Sequence, residues 1–477
     1  MRFGFDIPRV IQGGMGVGVS NWRLARAVGR TGNMGVVSAT VIDTLMVRRL
    51  QDGDPEGDTR RALAHFPDQR ITEDILARYF IAGGKARGAA YKLLPLYKQH
   101  ASVARQQLAV VATFAEVWLA KEGHHGPIGV NLLTKVQLPN LASLYGAMLA
   151  GVEYVLMGAG IPREIPGVLD AFALHAPATM RFDVDGLAST DAEWLTFDPA
   201  LHVSDEARIA PLSRPRFLAV ISANSLATTL ARKANGRVDG FIVEGPTAGG
   251  HNAPPRGAMQ LNGAGEPTYG DRDVVDLAKL AQLGLPFWVA GGSGSPEALI
   301  DALAAGASGI QVGTLFAFCD ESGIAPTLKL DALREIAAGT AHVFTDPRAS
   351  ATGYPFKVLQ LEETAQQDDA RERICDLGYL RTAFKGADAR IGYRCAAEPV
   401  ADYVKKGGKV EDTIGRRCLC NALVANTGHA QQRNGDAPEL PLLTSGDDLA
   451  AVRRVLGGRS TYSAADVLDC LLQATVE

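Results

Sequence analysis

The chain has 477 residues and a formal net charge of −4; 47% of its residues are apolar and 21% are charged. These proportions are ordinary for a globular protein, and the length suits a barrel-sized domain with additions. The weak acidity excludes a strongly basic surface, so neither nucleic acid nor an anionic membrane is expected as a partner.

Three absences in the sequence predict the cellular location. No apolar run reaches the roughly 18 residues that a membrane span needs. Residues 1–6 open a strand-like run rather than a signal peptide, and six cysteines are too few for a secreted disulfide scaffold. A cytoplasmic protein with reduced thiols is therefore expected.

Short apolar runs alternate with helix-like patterns along the chain, which predicts a parallel sheet covered on both faces. The eight runs span residues 10–15, 34–38, 128–133, 153–158, 217–221, 241–244, 287–290 and 309–314. Eight is the number of strands that closes a β/α barrel. A doubly wound open sheet is the alternative, but residues suited to ligand contacts end nearly every run rather than one switch point.

The predicted fold class is therefore α/β, a TIM (β/α)8 barrel with helical insertions and a C-terminal helical extension. The barrel is assigned to residues 1–340. Its insertions fall at about 43–125, where charged helical patterns recur, and at about 178–212, an irregular stretch that suits a hairpin. The polar, helix-prone residues 341–477 are predicted to form an extension, a lid or a separate small domain.

Glycine-rich turns follow the last two runs. Residues 291–294 read Gly-Gly-Ser-Gly, and Ser295 with Pro296 then makes a favourable start for a helix. Gly313 and Thr314 end the next run. In barrels these two loops commonly hold a phosphate through backbone N–H groups, so a phosphate site is predicted, with simple tight turns as the alternative.

A flat cofactor ring such as a flavin needs an apolar wall and polar edge contacts. Gly13, Gly14 and Met15 follow the first run and can supply the wall, although core packing is an equal alternative for Met15. Asn131 ends an apolar run, and its amide both donates and accepts. A buried amide is costly without a partner, so a functional role is favoured for Asn131.

His251 follows the sixth run, at the tip of the glycine-rich turn 245–250. An unperturbed imidazole pKa of about 6.5 suits proton abstraction from a carbon beside a nitro or carbonyl group. One alternative is that His251 donates a hydrogen bond to a substrate oxygen. The other is that it is a solvated loop histidine with no functional role. Glu244 is predicted to orient the turn through backbone N–H groups, without direct chemistry.

Four cysteines of the C-terminal region fall in one polar segment, namely Cys375, Cys395, Cys418 and Cys420. Such a cluster can bind zinc, but paired Cys-x-x-Cys spacing is missing. Buried or incidental thiols are therefore favoured, and no metal is predicted.

These motifs resemble those of the nitronate monooxygenases, formerly called 2-nitropropane dioxygenases. The matching segments are 12–15, 129–131, 158–162, 244–251, 290–292 and 311–314, of which the Ala-Gly-Gly-His turn ending at His251 is the most specific. The resemblance implies an FMN-containing barrel that oxidises alkyl nitronates or nitroalkanes with O2 to a carbonyl compound and nitrite. By motif position it implies that His251 is the catalytic base. The implied cofactor contacts are Gly14, Met15, Asn131, Gly249, Gly250, Gly291, Gly292, Gly313 and Thr314.

The first motif departs from that family. Many nitronate monooxygenases have Ala-Pro-Met where this chain has Gly13-Gly14-Met15, which is closer to FMN-dependent enoyl-acyl carrier protein reductases. The long additions, including residues 353–356 and 417–421, resemble trans-acting enoyl reductases of polyketide and fatty acid synthases. That resemblance implies the alternative function, an FMN- and NAD(P)H-dependent enoyl reductase with acyl carrier protein as partner. A barrel that has lost its activity and serves as a synthase subunit is a third hypothesis.

Overall fold

The computed structural model describes residues 7–188, 190–361, 372–433 and 437–473. The predicted strand-like opening at residues 1–6 lies outside them. The strands are β1 (Val10–Gln12), β2 (Gly35–Ser38), β3 (Ile128–Leu133), β4 (Tyr154–Gly158), β5 (Ala178–Phe182), β6 (Val184–Asp185), β7 (Glu193–Phe197), β8 (Arg216–Ile221), β9 (Gly240–Glu244), β10 (Phe287–Ala290), β11 (Gly309–Val312), β12 (His342–Asp346), β13 (Phe356–Gln360), β14 (Thr382–Lys385) and β15 (Ile391–Arg394).

The helices alternate with the barrel strands and fill the additions. They are α1 (Trp22–Gly29), α2 (Ile42–Gln51), α3 (Asp58–Leu63), α4 (Gln69–Tyr79), α5 (Val103–Lys121), α6 (Asn140–Leu149), α7 (Ile165–Ala173), α8 (Asn224–Lys233), α9 (Leu277–Ala281), α10 (Pro296–Ala304), α11 (Thr314–Ala317), α12 (Pro326–Ala338), α13 (Val400–Lys405), α14 (Leu419–Ala425), α15 (Leu449–Leu456) and α16 (Ala464–Leu472). Within the described ranges, none of them is both long and apolar enough to cross a membrane.

Eight parallel strands form the central sheet, in the order β1-β11-β10-β9-β8-β4-β3-β2. The sheet closes because Gln12 N donates to Met34 O at 2.9 Å and Met34 N donates to Val10 O at 3.1 Å. All of the predicted runs are barrel strands, so the TIM barrel is confirmed and the open-sheet alternative is wrong. The carboxyl ends of all these strands consequently meet at one mouth.

Apolar side chains fill the barrel interior, which explains why the strands read as nearly continuous apolar runs. Met34, Leu156 and Trp288 belong to this inner cluster, and each is at most 2% exposed. The indole of Trp288 donates to Pro8 O at 2.8 Å, which satisfies its one polar group. The barrel is therefore a packed core, and only its mouth is open to a ligand.

The two predicted insertions cover the barrel differently. Residues 43–125 contain most of α2 and the whole of α3 to α5, and α5 begins at an N-cap in which Ser102 Oγ accepts from Arg105 N at 3.3 Å. In the second insertion, β5 pairs with β7 in antiparallel register. The hairpin predicted near residues 178–212 is thus present.

The C-terminal extension contains strands besides the predicted helices. β12 pairs with β13 and β14 with β15, both antiparallel. Apolar residues of this region, such as Leu443 and Val467, belong to the same core cluster as Leu24 and Val312 of the barrel. The boundary between 1–340 and 341–477 stays a prediction, and the two parts pack together extensively.

Candidate active site

The carboxyl ends of the barrel strands surround a cavity of about 600 Å3, a size typical of a cofactor pocket. The structure brings every predicted site residue to its wall. These residues are Gly14, Met15, Asn131, Gly249, Gly250, His251, Gly291, Gly292, Gly313 and Thr314. Their placement follows from the barrel, because parallel strands deliver their following loops to one edge. Their chemical roles stay predictions.

The turn after β10 forms a cradle that only glycine suits. Gly291 and Gly292 have φ values of +87° and +66°, in the left-handed region that favours glycine. A Cβ on Gly291 would also lie 3.1 Å from Gly245 O. Helix α10 begins just beyond, where Ser295 Oγ accepts from Ala298 N at 3.1 Å as predicted. The cradle leaves room for an anion near the start of this helix.

A loop of the C-terminal region closes the same end of the cavity. Thr314 Oγ1 accepts from Gly446 N at 3.1 Å, and Thr444 Oγ1 accepts from Gly250 N at 2.9 Å. The Thr314 hydroxyl keeps its own proton, so it remains able to donate to a phosphate oxygen. No local pattern in the sequence indicates residues 444–446, because they reach the cavity only through long-range folding.

Two polar side chains of the cavity wall have groups without hydrogen-bond partners. The Asn131 side chain lines the cavity and has no hydrogen-bond partner in the described part of the chain. Gln311 Oε1 is buried and likewise unpartnered there. A Cβ on Gly14 would lie 2.2 Å from Asn131 Cβ, so the loop after β1 packs directly against this amide. Unpaired buried polar groups in a native protein call for a ligand or water.

His251 is held by the C-terminal region. Its Nε2 lies 2.6 Å from Ser350 Oγ. Its ring packs edge-on against Phe356, with centroids 4.9 Å apart. Around it, Asn252 N donates to Pro355 O at 3.0 Å and Lys357 N donates to Gly250 O at 2.9 Å. The predicted extension therefore builds one wall of the site and fixes the position of the imidazole.

Burial, and then the nearby Lys135 ammonium, hold the pKa of His251 well below its ordinary value of 6.5. The imidazole is therefore neutral at pH 7. A neutral ring accepts a proton at one nitrogen and donates a hydrogen bond from the other. His251 is thus competent as a base, although the lowered pKa makes it a weak one.

Lys135 and Glu244 add two titratable groups that the sequence did not single out for chemistry. Burial lowers the pKa of Lys135 to about 7, against the attraction of Glu244. Burial raises the pKa of Glu244 to about 7, against the attraction of Lys135. The prediction that Glu244 orients the turn through backbone N–H groups is wrong: no described residue donates to its carboxylate, which lines the cavity instead.

All six cysteines are free thiols. Across residues 7–188, 190–361, 372–433 and 437–473, no three His, Cys, Asp or Glu side chains are grouped so that they could hold a metal ion. The neighbouring Cys395 thiol, and then burial, raise the pKa of Cys375, and Cys420 lies at the cavity wall. The cluster thus places thiols near one another without a metal-binding geometry.

A family model described as nitronate monooxygenase matches residues 125–414, more than half of the chain. No curated protein matches the sequence. Among solved structures, the nitroalkane oxidase from Streptomyces ansochromogenes is 15% identical with a TM-score of 0.49, over 98% of this chain and 95% of that chain.

Two further solved structures are similar over most of their length. FabK from Thermotoga maritima is 14% identical with a TM-score of 0.48, over 98% of this chain and 92% of that chain. The enoyl reductase domain of MlnA from the macrolactin biosynthesis cluster from Bacillus amyloliquefaciens is 11% identical with a TM-score of 0.44, over 98% and 92% of the two chains.

Proposed function

The chain belongs to the nitronate monooxygenase family, and from that premise we propose that it is an FMN-dependent enzyme that oxidises alkyl nitronates or nitroalkanes with O2 to a carbonyl compound and nitrite. Family membership makes it an oxidoreductase. The observation that carries the finer proposal is the position of His251, a neutral imidazole at the wall of a cavity that also holds the glycine cradle and the free Asn131 amide.

The residues at the mouth fit FMN. The cradle at 291–292, the start of α10 and the Thr314 hydroxyl suit the phosphate. The unpartnered polar groups of Asn131 and Gln311 suit the edge of the ring, and Met15 suits its face. FMN bound there would supply a two-electron acceptor, which no side chain of the chain provides.

The hydrogen bonds around Ser350 accommodate a neutral His251 that carries its proton on Nε2. Thr352 N donates to Ser350 Oγ at 3.2 Å, and the two hydroxyls lie 2.8 Å apart. With the Ser350 hydroxyl donating to Thr352 Oγ1, we assign the imidazole proton to Nε2, which donates to Ser350 Oγ. Nδ1 then carries the lone pair and takes a proton from the carbon beside the nitro group, which leaves a nitronate and an imidazolium.

Because the pKa of His251 is lowered, its base strength limits attack on neutral nitroalkanes more than on nitronates, which arrive already deprotonated. We therefore expect His251→Asn to slow turnover of a neutral nitroalkane by about 10²–10⁴-fold and turnover of the preformed nitronate far less. Steady-state kinetics measures turnover of both substrates, and visible absorption measures the bound FMN. His100→Asn, an exposed histidine, is the control. Equal loss on both substrates would exclude the base role.

One observation favours the alternative, an FMN- and NAD(P)H-dependent enoyl-acyl carrier protein reductase. Leucines of the C-terminal region extend the cavity with an apolar wall larger than a small nitroalkane needs, namely Leu380, Leu419, Leu423 and Leu443. An acyl chain delivered by a carrier protein would bury against such a wall. Reduction of the bound flavin by NADPH, and of an enoyl thioester in turn, distinguishes this reaction from nitronate oxidation.

A further inference from the structure

Lys135 lies on the loop after β3, four residues beyond Asn131, at the cavity wall. Its ammonium is shielded from water and has no hydrogen-bond partner in the described part of the chain. It lies over the ring face of Tyr354, whose centroid is 3.7 Å from Nζ. Glu244 attracts it from beyond ion-pair distance.

Two other buried lysines show what this ammonium lacks. Lys329 donates to the carbonyls of Cys319, Asp320 and Ser322 at 2.7–3.2 Å. Lys357 donates to Thr345 Oγ1 at 2.7 Å and pairs with Asp447 at 2.8 Å. An ammonium has three donors, and burying it without acceptors costs several kcal/mol unless a charge partner arrives. A cation–π contact offsets only about 0.5–2 kcal/mol of that cost.

We propose that Lys135 is a substrate-binding residue whose missing acceptor is an anionic oxygen of the nitronate. This inference rests on the function proposed above. The nitronate carries its charge on two nitro oxygens before any electron moves, so a cation at the cavity wall recognises it on arrival. The four-carbon stem of lysine is flexible, and a rotamer change lifts the ammonium off the Tyr354 ring toward the cavity.

Cations and carboxyl groups both line the cavity, and the carboxyl groups are those of Glu244, Asp273 and Asp448. His251 is neutral, so it brings no competing cation. Arg256 also lines the cavity, but it is exposed and its guanidinium donates to Ser222 O. Among the described lining residues, Lys135 is thus the cation that is both shielded from water and without an acceptor.

The test uses the FMN-loaded protein and two unreactive probes of nearly equal shape. Isobutyrate has the shape and charge of the nitronate of 2-nitropropane, and isobutyramide lacks the charge. We expect Lys135→Met to weaken isobutyrate binding by about 30–5,000-fold, the range for truncating one partner of a buried charge pair. Isobutyramide affinity and FMN content should stay within about twofold of wild type. Isothermal titration calorimetry measures both affinities.

Two further variants serve as controls. Lys135→Arg retains the charge and should keep isobutyrate binding within about tenfold of wild type. Lys279→Met removes an exposed lysine and should change nothing. Thermal unfolding of each variant shows that the fold survives.

Several outcomes overturn the proposal. Equal weakening of both probes means that Lys135 only shapes the cavity, and loss of FMN from Lys135→Met means that it serves the cofactor. Unchanged isobutyrate binding, or none to the wild type, means that it meets no substrate anion. Nitronate turnover by the wild type is measured separately: charge-selective binding through Lys135 without turnover would reject the proposed function and leave the cation site standing.

Discussion

At the scale of single residues, the site combines three titratable groups whose charges are suppressed by burial. His251 is neutral, and Lys135 and Glu244 both have pKa values of about 7. Groups with shifted pKa values in a cleft are typical of catalytic sites. The charge of the cavity therefore changes near neutral pH, and we expect its affinity for an anion to change with it.

Glu244→Gln should alter stability in a pH-dependent way. The folded-state pKa of Glu244, about 7, lies above its ordinary value of 4.5, so protonated Glu244 fits the fold and stability is lost as pH rises through about 7. The glutamine side chain of the variant is neutral at every pH in this range. The Tm of the variant should therefore match wild type near about pH 5 and exceed it by about 2 °C near about pH 8.

Thermal unfolding across this pH range checks the expectation, with Glu73→Gln as a control at an exposed position. A Tm difference that does not grow with pH would show that the Glu244 carboxylate is ionised in the fold without penalty.

The residue types at the strand ends could be predicted, but their partners could not. Asn131 stood out because a polar residue in a buried apolar run needs a partner, and His251 because it lies at the tip of a glycine-rich turn. Ser350 contacts His251 from 99 positions away in the sequence, and no local pattern indicates that pairing. Lys135 could have been considered, since it lies on the loop directly after the strand that contains Asn131, but lysines on loops are usually solvated.

At the scale of elements, the loop carrying His251 is held between two C-terminal segments. Residues 355–357 pair with its backbone on one side, and residues 444–446 pack against it on the other. The barrel strands were predictable because both of their faces are buried, which gives continuous apolar runs. β12 to β15 were not, because they lie outside the barrel, and β12, β14 and β15 are mostly half-buried rather than continuous apolar runs.

The variants Gly249→Ala and Gly250→Ala should distinguish the packing of residues 444–446 against this loop from the backbone conformation of the loop itself. A Cβ on Gly249 would lie 2.8 Å from Gly446 N and 2.8 Å from Ser445 C, so the loop must shift. A Cβ on Gly250 meets open space, but its φ of +77° costs about 1–2 kcal/mol for alanine. Both variants should unfold more easily, and Gly249→Ala should in addition weaken FMN binding by about tenfold or more.

Fluorescence titration of the stripped protein with FMN gives the two affinities, and denaturant unfolding gives the two stabilities. Wild-type FMN affinity in Gly249→Ala would show that residues 444–446 take no part in the cofactor site.

At the scale of the whole molecule, the first insertion and the C-terminal region are joined above the barrel by a buried network. Arg105 Nη1 lies 2.5 Å from Asp43 Oδ2, and both residues are at most 4% exposed. Tyr97 donates to Asp43 at 3.0 Å, and Tyr379 of the C-terminal region also donates to it. Because Tyr379 lines the cavity, this network ties the shell around the barrel to the site.

Arg105→Met should destabilise the protein by about 3–5 kcal/mol, since it leaves the Asp43 carboxylate buried and uncompensated. Arg78→Met is the matched control: it breaks an exposed pair with Asp74 on α4 and should cost at most about 0.5 kcal/mol. Urea unfolding of both variants measures the difference. Similar small losses in the two variants would mean that Asp43 finds other partners and that the network does not join the additions.

The proposed function requires FMN bound at this barrel mouth to accept electrons from a nitronate. Anaerobic mixing of the FMN-loaded protein with a nitronate and, separately, with NADPH tests it most directly, followed by visible absorption. We expect the nitronate to bleach the flavin, O2 to restore its colour with release of nitrite, and NADPH to leave it unchanged. Rapid bleaching by NADPH with none by the nitronate would exclude nitronate oxidation and assign the chain to enoyl reduction.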